Sequence, residues 1–399
     1  MLINAPTTSA PHIVFAGGVT GGHLFPGLAV AEQILDAQPA ARFTFVGPGR
    51  AFDRDHVQRA GFDYVAVASP RAPRSIADVA PFGLRMWRGY REAAQFLLRG
   101  GVSAVVGLGG FASLPASIGA LRSGLPLLLL EQNAIVGRAN RWLSRRANAL
   151  CLSFPRTRFA PRGAEIPLGG RVLLTGTPIR VAFRHAQPID SGQPVLLVLG
   201  GSGGARSLNR SVPIALGRLR HELEGWQVVH QTGHADAAET AAAYQKAGIA
   251  ARVVPFCDDM APLLGRTALA ICRAGGSTVA ELAALRVPAI LVPWSGARDD
   301  HQRANAMATA SAGAAVIVAQ DAAEPAALGE RLAVVLQGLL ADPQRRAEIA
   351  TAAGISAKPR AAQLVADLLL GLVEKRRCQR RHASLDCPAS PLSIDTLAA

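Results

Sequence analysis

Lysine is nearly absent from this chain. Lys246, Lys358 and Lys375 are the only lysines in 399 residues, and arginine carries most of a net charge of +14. Such a surplus attracts anions: nucleic acid, a membrane surface or a phosphorylated substrate. An arginine bias also follows from a GC-rich genome, so composition does not choose among these. Aromatic residues are scarce at 5%, the arginines are scattered, and no RNA- or DNA-binding motif is recognisable, so nucleic acid is not an expected partner. Cysteine is sparse too. Its five positions form no C-x-x-C pair and no zinc spacing with histidine, and Cys151, Cys257 and Cys272 lie in apolar stretches. That excludes a disulfide framework and suits a reducing compartment. Long apolar runs are missing: the densest, Leu125 to Leu130, falls far short of the ~20 residues a spanning helix needs. Met1 to Pro11 has neither the charged nor the apolar part of a signal peptide. Any membrane contact is therefore expected to be peripheral.

What remains is a chain built to fold. Hydrophobic residues make up 50%, enough for a sizeable core. Short β-rich runs alternate with longer segments of helical period. His12–Ala16, Phe43–Val46, Tyr64–Val67, Ala104–Val106, Pro126–Leu130 and Ala149–Leu152 read as strands of a first half. Val195–Leu199, Gln227–His230, Ala268–Cys272, Ala289–Val292 and Ala315–Val318 read as strands of a second. This rhythm predicts an α/β fold of two doubly wound, Rossmann-like parallel sheets. The expected units are an N-terminal domain over 1–180, a linker over 181–194 and a C-terminal domain over 195–355. A last helix over 356–374 is expected to pack back on the first domain, with a basic, disordered tail over 375–399.

Chemistry is written where strands run into glycines. Gly17-Gly18-Val19-Thr20-Gly21-Gly22-His23 follows the first strand, and Gly107-Leu108-Gly109-Gly110-Phe111-Ala112-Ser113 follows a later one. A strand, a glycine turn and a helix present free N–H groups and a positive helix end, which bind phosphates. Neither loop spells G-x-G-x-x-G or carries a Walker lysine, so a dinucleotide fold or P-loop is not supported. His23 is expected to stay neutral beside a helix N-terminus, either as a proton acceptor or as a packing group. Glu131-Gln132-Asn133 closes another strand at the same sheet edge. In the second half, Gly200-Gly201-Ser202 repeats the anion-binding turn, and Arg273 to Glu281 gives a further strand, loop and helix. Asp299-Asp300-His301-Gln302 resembles a metal site only superficially, since no partner stands at a fixed helical spacing. Neither metal nor cofactor is expected.

In order and spacing these motifs, with Gly176-Thr177-Pro178-Ile179-Arg180, Phe256-Cys257-Asp258-Asp259-Met260 and Asn305-Ala306, are highly specific. From about Ile13 to Val373 the chain resembles the MurG family of bacterial peptidoglycan N-acetylglucosaminyltransferases. The resemblance implies a GT-B fold, two Rossmann-like domains with a cleft between them. It implies inverting transfer of GlcNAc from UDP-GlcNAc to the C4 hydroxyl of MurNAc in lipid I, giving lipid II. By that family's pattern His23, Asn133 and Glu131 form the catalytic group, with His23 as base or positioning residue. Backbone at Cys257 would read uracil and Glu281 the ribose. Ser202 and the loop Gly275, Gly276, Ser277, Thr278, Val279 and Ala280 would hold the donor phosphates. Arg180, Asn133, His301 and Gln302 would complete the donor site. Thr20, Gly21 and Gly22 would also bind substrate, and Gly18, Gly109, Gly110 and Ser113 would take the acceptor pyrophosphate.

The sequence departs from the family at Val19, Leu130, Phe111 and Gly203, where glycine, histidine, tyrosine and glutamine are usual. These changes bear mainly on the acceptor side. Between Arg71 and Arg99, Ile76, Val79, Phe82, Leu84, Met86, Trp87 and Tyr90 are interleaved with arginines, a pattern suited to an anionic membrane surface or to an ordinary amphipathic helix. Two alternatives share the architecture: a UDP-GlcNAc 2-epimerase, and a GT-B transferase acting on another membrane lipid.

Overall fold

The structure, a computed structural model, describes residues 10–18, 20–69, 73, 75–185, 192–201, 203–320 and 324–383. Strand β1 (His12–Ala16), α1 (Gly21–Ala37), β2 (Arg42–Gly47), α2 (Ala51–Arg59) and β3 (Asp63–Ala66) open the chain. Then come α3 (Val79–Arg99), β4 (Ala104–Gly107), α4 (Leu114–Arg122), β5 (Leu127–Glu131), α5 (Arg138–Leu143), β6 (Ala149–Leu152) and β7 (Val172–Leu174). All these strands join one parallel sheet in the order β3-β2-β1-β4-β5-β6-β7. The central strands β1, β4, β5 and β6 are buried along their whole length. Helices covering both faces explain why they read as continuous apolar runs rather than as alternating patterns.

After the short helix α6 (Val181–His185) the design repeats. The second domain runs β8 (Val195–Leu199), α7 (Arg206–Gly217), β9 (Gln227–Gln231), α8 (Ala237–Lys246), β10 (Ala251–Val254), α9 (Met260–Gly265), β11 (Thr267–Cys272) and α10 (Gly276–Ala284). It ends with β12 (Ala289–Leu291), α11 (His301–Ser311), β13 (Val316–Ile317), α12 (Pro325–Ala341) and α13 (Pro343–Ser356). Its parallel sheet has the order β10-β9-β8-β11-β12-β13. Strand order reverses beside β1 and β4 in the first sheet, and beside β8 and β11 in the second. At such a switch point the loops leaving adjacent strands diverge and open a crevice. All four glycine-bearing loops leave those four strands.

The structure differs from the sequence expectations in several elements. Strands β7 and β10 and helix α13 were not anticipated. Both are short and only partly buried: β7 has three residues, and β10 has four with Arg252 among them. Within the expected linker α6 fills Val181–His185, and 186–191 lie outside the described residues. The last helix, α14 (Ala361–Ala383), runs past the expected limit at 374. Its Val365, Ala366, Leu369 and Val373 are buried in the N-terminal core with Leu28 and Ile34. Beyond them the basic residues continue the helix rather than fraying: Arg376 donates to the carbonyls of Val102 and Ser103 at 3.4 and 3.3 Å. Cations at a helix C-terminus also oppose its negative pole. Residues 384–399 of the expected tail lie outside the described residues.

One glycine in α3 sets the distance between helix and sheet. A Cβ at Gly89 would meet the Ala68 carbonyl oxygen at 1.7 Å, whereas at Gly83, on the same helix, it would meet nothing within 4 Å. Gly89→Ala is expected to destabilise the protein by about 1–3 kcal/mol through overpacking against rigid backbone. Gly83→Ala is expected to be neutral or stabilising, by up to ~1 kcal/mol of helix propensity. Urea-unfolding midpoints of the two variants check this contrast.

Candidate active site

The two sheets face each other along their C-terminal edges, and the N-termini of α1 and α10 meet there. Ser277 Oγ donates to the Gly22 carbonyl at 2.8 Å. That carbonyl is free because the residue four positions on, Pro26, has no N–H to give it. A Cβ at Gly276 would lie 1.9 Å from the Gln132 carbonyl oxygen, so only glycine allows the domains this close. Two positive helix ends thus converge on the cleft.

A buried asparagine stitches the same region. The Asn305 side chain has no exposed surface. It accepts from the Ala134 N–H at 2.8 Å and donates to Asn133 Oδ1 at 3.0 Å and to the Ala274 carbonyl at 2.9 Å. Next to it, Arg138 grips Asp299 with two bonds of 3.1 and 2.9 Å. Asp299 and Asp300 both hold φ near +54°, a conformation uncommon for non-glycine residues, and this turn delivers His301 and Gln302 to the cleft. Gln302 Oε1 accepts from the Trp294 N–H at 3.0 Å. At the other rim, Arg59 meets Asp258 at 2.9 Å and Phe256 packs edge-on against Phe52 and His56. Cys257 is half-buried in that loop, its thiol directed to the Asp259 carbonyl at 3.4 Å.

His23 lies on the first turn of α1 against Gly109 of the second glycine loop. Thr20, the N-cap residue, places Oγ1 3.2 Å from His23 Nδ1. Burial, reinforced by nearby His301, drives the imidazole down to about 4, so it is neutral at pH 7. Arg180 approaches Glu281 at 3.9 Å and lies over the rings of Phe25 and Phe183 at 4.3 and 4.8 Å. Burial pushes the Glu281 carboxyl up to about 7 against the pull of Arg180.

Some expected residues are placed differently. Glu131 is buried, and four bonds occupy its carboxylate, from the N–H groups of Asn133 and Gly137 and the side chains of Asn133 and Asn140. It shapes the loop that carries Asn133, which makes it a positioning residue rather than one open to substrate. Asn133 is itself engaged by Glu131 and Asn305. Ser113 is fully buried and donates to the Gly110 carbonyl at 2.8 Å, so it fixes the second loop from beneath. Val279 and Ala280 pack into the C-terminal core, leaving that loop's backbone and Thr278 to meet a ligand. Gly18 is buried beside Asp53 and Leu24. Ser202 and Val19 lie outside the described residues. Asn140, Arg138 and Asp299 were missed as parts of the site. Nothing local signals the pair Arg138 and Asp299, which forms where loops of the two domains meet, while Asn140 is tied within its own domain to the Leu130 carbonyl and Glu131. Among the described residues no three His, Cys, Asp or Glu side chains group around a metal position, and the Asp299–His301 segment is spent on the Arg138 contact and the turn.

The match to known proteins spans both domains. The N-terminal domain of glycosyltransferase family 28 matches residues 13–151, and the C-terminal domain of that family matches 195–365. The chain belongs to glycosyltransferase family 28. Among its relatives, a Pelobacter propionicus protein is 35% identical over 384 residues, covering 90% of this chain and 98% of its own. One from Xanthomonas axonopodis pv. citri is 40% identical, covering 90% of this chain and 82% of its own. Both bear the name UDP-N-acetylglucosamine–N-acetylmuramyl-(pentapeptide) pyrophosphoryl-undecaprenol N-acetylglucosamine transferase. The crystal structure of Acinetobacter baumannii MurG, 32% identical, superposes with a TM-score of 0.69 over 90% of this chain and 99% of that one. A UDP-N-acetylglucosamine 2-epimerase superposes at 0.65 over 96% of this chain, but at 12% identity, so it shares the fold alone. The two-domain GT-B architecture of the family is the one found here.

The raised affinity of Glu281 for its proton has a sign. Ionising it inside the fold is unfavourable, so its contribution to stability is present at low pH and lost as pH rises from the ordinary 4.5 through about 7. Isotope-edited infrared titration is expected to find this carboxyl titrating near neutrality in the free enzyme. Arg180→Ala is expected to move it higher, since the guanidinium is what holds it down.

Proposed function

We propose that this chain transfers GlcNAc from UDP-GlcNAc to the C4 hydroxyl of MurNAc in lipid I, with inversion at the anomeric carbon, to give lipid II. The observation that carries the reading is the cleft itself, in which the family's motifs from both domains converge at two helix N-termini. The relatives' names supply the two substrates. In this reading the donor lies mainly on the C-terminal domain. Uracil meets backbone at Cys257, the ribose hydroxyls meet Glu281, and the diphosphate meets Ser202, Thr278 and the backbone of the loop Gly275–Ala280. Arg180 and the positive end of α10 stabilise the departing UDP, the electrostatic task on which such a displacement depends. His301, Gln302 and Asn133 face the sugar. The acceptor diphosphate lies at Thr20–Gly22, Gly109 and Gly110.

His23 then takes the proton of the C4 hydroxyl as its oxygen attacks C1 and the bond from C1 to the UDP oxygen breaks. An imidazole near 4 is a weak base. An incoming diphosphate raises it, because a neighbouring negative charge favours the protonated ring. The base is thus tuned to strengthen when the substrate arrives. We further propose that the protein works as a peripheral protein at the cytoplasmic face of the cell membrane. No helix among the described residues is long and apolar enough to cross a membrane. On α3 and the turn before it, Ile76 is 92% exposed and Trp87 54%, with Arg91 over the Trp87 ring. Phe82 of the same helix touches Phe111 of the second glycine loop, so a bilayer on this face lies next to the proposed acceptor site.

A transfer assay with labelled UDP-GlcNAc and a short-chain lipid I analogue, in EDTA, is expected to move label into the lipid. His23→Ala is expected to slow kcat by ~10²–10⁴-fold, the usual contribution of a general base, with UDP affinity kept. Bound UDP-GlcNAc with no label in that lipid overturns the acceptor. Sedimentation with anionic vesicles is expected to pull down the native protein and to lose Trp87→Glu. Equal pelleting of the two removes α3 as the contact.

A further inference from the structure

Behind the domain contact, on the side away from the cleft, lies a cavity of about 700 Å³. Its walls come from both domains: the segment after β6 and the start of 176–179 on one side, α10, α11 and the end of α13 on the other. None of the residues assigned above to catalysis or to the acceptor lines it, and of the donor loop only Gly276, Val279 and Ala280 do. Helix α10 separates the two spaces, with Ser277 and Glu281 toward the cleft and Ala283 toward the cavity.

The walls are apolar and short-chained. Phe154, Ile179, Val279 and Leu282 supply bulk, and a row of alanines, among them Ala283 and Ala308, leaves the space unfilled. A protein interior rarely leaves such a volume between packed elements, and the size falls within the usual range for a small-molecule site. The mouth is polar and of one prevailing sign. Arg156, Arg158, Arg303 and Lys358 line it against only Glu165 and Asp300. Those two acids stand 3.9 to 4.0 Å from the arginines and form only loose, exposed pairs with them. An apolar chamber behind a cationic mouth is complementary to a molecule with an apolar body and an anionic head.

We propose that this interdomain cavity binds a single-chain amphiphile with an anionic head, its chain along α10 and α11 and its head at Arg303 and Lys358. Such a ligand touches both domains at once and sits on the back of the helix that carries Glu281.

Isothermal titration of the full chain with dodecyl phosphate, kept below its micelle-forming concentration, tests the site. Saturable one-to-one binding is expected. Ala308→Phe, which fills the chamber from a half-buried helix position, is expected to weaken it tenfold or more, a loss of about 1.4 kcal/mol or greater. Arg303→Glu changes only an exposed residue and is expected to weaken dodecyl phosphate several-fold while leaving dodecanol unchanged. Trp87→Glu is expected to bind like the native protein, which separates the cavity from the α3 surface. Absence of saturable binding overturns the proposal, as does equal affinity in the Ala308→Phe and Arg303→Glu variants. Association only when the amphiphile is presented in phosphatidylcholine vesicles, or its loss with Trp87→Glu, shows attachment by α3 instead and likewise overturns it.

Discussion

The geometry of the cleft hangs on one amide. Asn305 belongs to the C-terminal domain, yet its side chain completes the backbone hydrogen bonding of the N-terminal loop that follows β5. Buried polar groups tolerate few alternatives: every donor and acceptor withdrawn from water must find a partner or forfeit about 1–3 kcal/mol. The loop at 131–134 therefore has a full set of bonds only when the second domain is in place. Through Glu131, the same set of bonds reaches Gly137 and Asn140 at the start of α5, and Arg138 beside them reaches back to Asp299. Asn133 and the turn before His301 are thereby positioned by one continuous network.

Proline and glycine cooperate in a second contact. Pro26 strips Gly22 of its helical partner, and the vacated carbonyl becomes the acceptor for Ser277. In isolation a proline six residues into a helix is a defect. Here its missing N–H is what lets the first turn of α1 bond outward to the other domain. Because Gly276 has no side chain, the start of α10 can come right up to Gln132, and two helix ends of like polarity are held together. Such an arrangement is electrostatically unfavourable when empty and favourable once an anion lies between them.

Much of this was legible in the sequence because it is local. Strands such as His12–Ala16 and Val195–Leu199 are pure apolar runs ended by glycine, and the parallel two-domain plan follows from their rhythm. The positions of the glycine loops, His23, Glu281 and the exposed face of α3 also follow from short-range pattern. What escaped is long-range or context-borne. Residues 138 and 299, or 133 and 305, are remote in sequence, and no periodicity links them. Glu131 and Ser113 look like candidate functional groups in any linear reading, since burial, which turns them into ties within their own loops, is a property of the fold. Strand β10 carries Arg252 between its apolar residues and sits at a sheet edge, where pairing with a single neighbour suffices.

Helix α14 has a consequence for how the molecule comes into being. Its apolar side chains are part of the core around β1 and α1, so a sheet built from the first part of the sequence is finished by a helix made after the whole second domain. Until α14 has been made, the surface of α1 that receives Leu369 and Val373 stays uncovered while the second domain is threaded out. Loss of α14 therefore strikes the amino-terminal half of the protein.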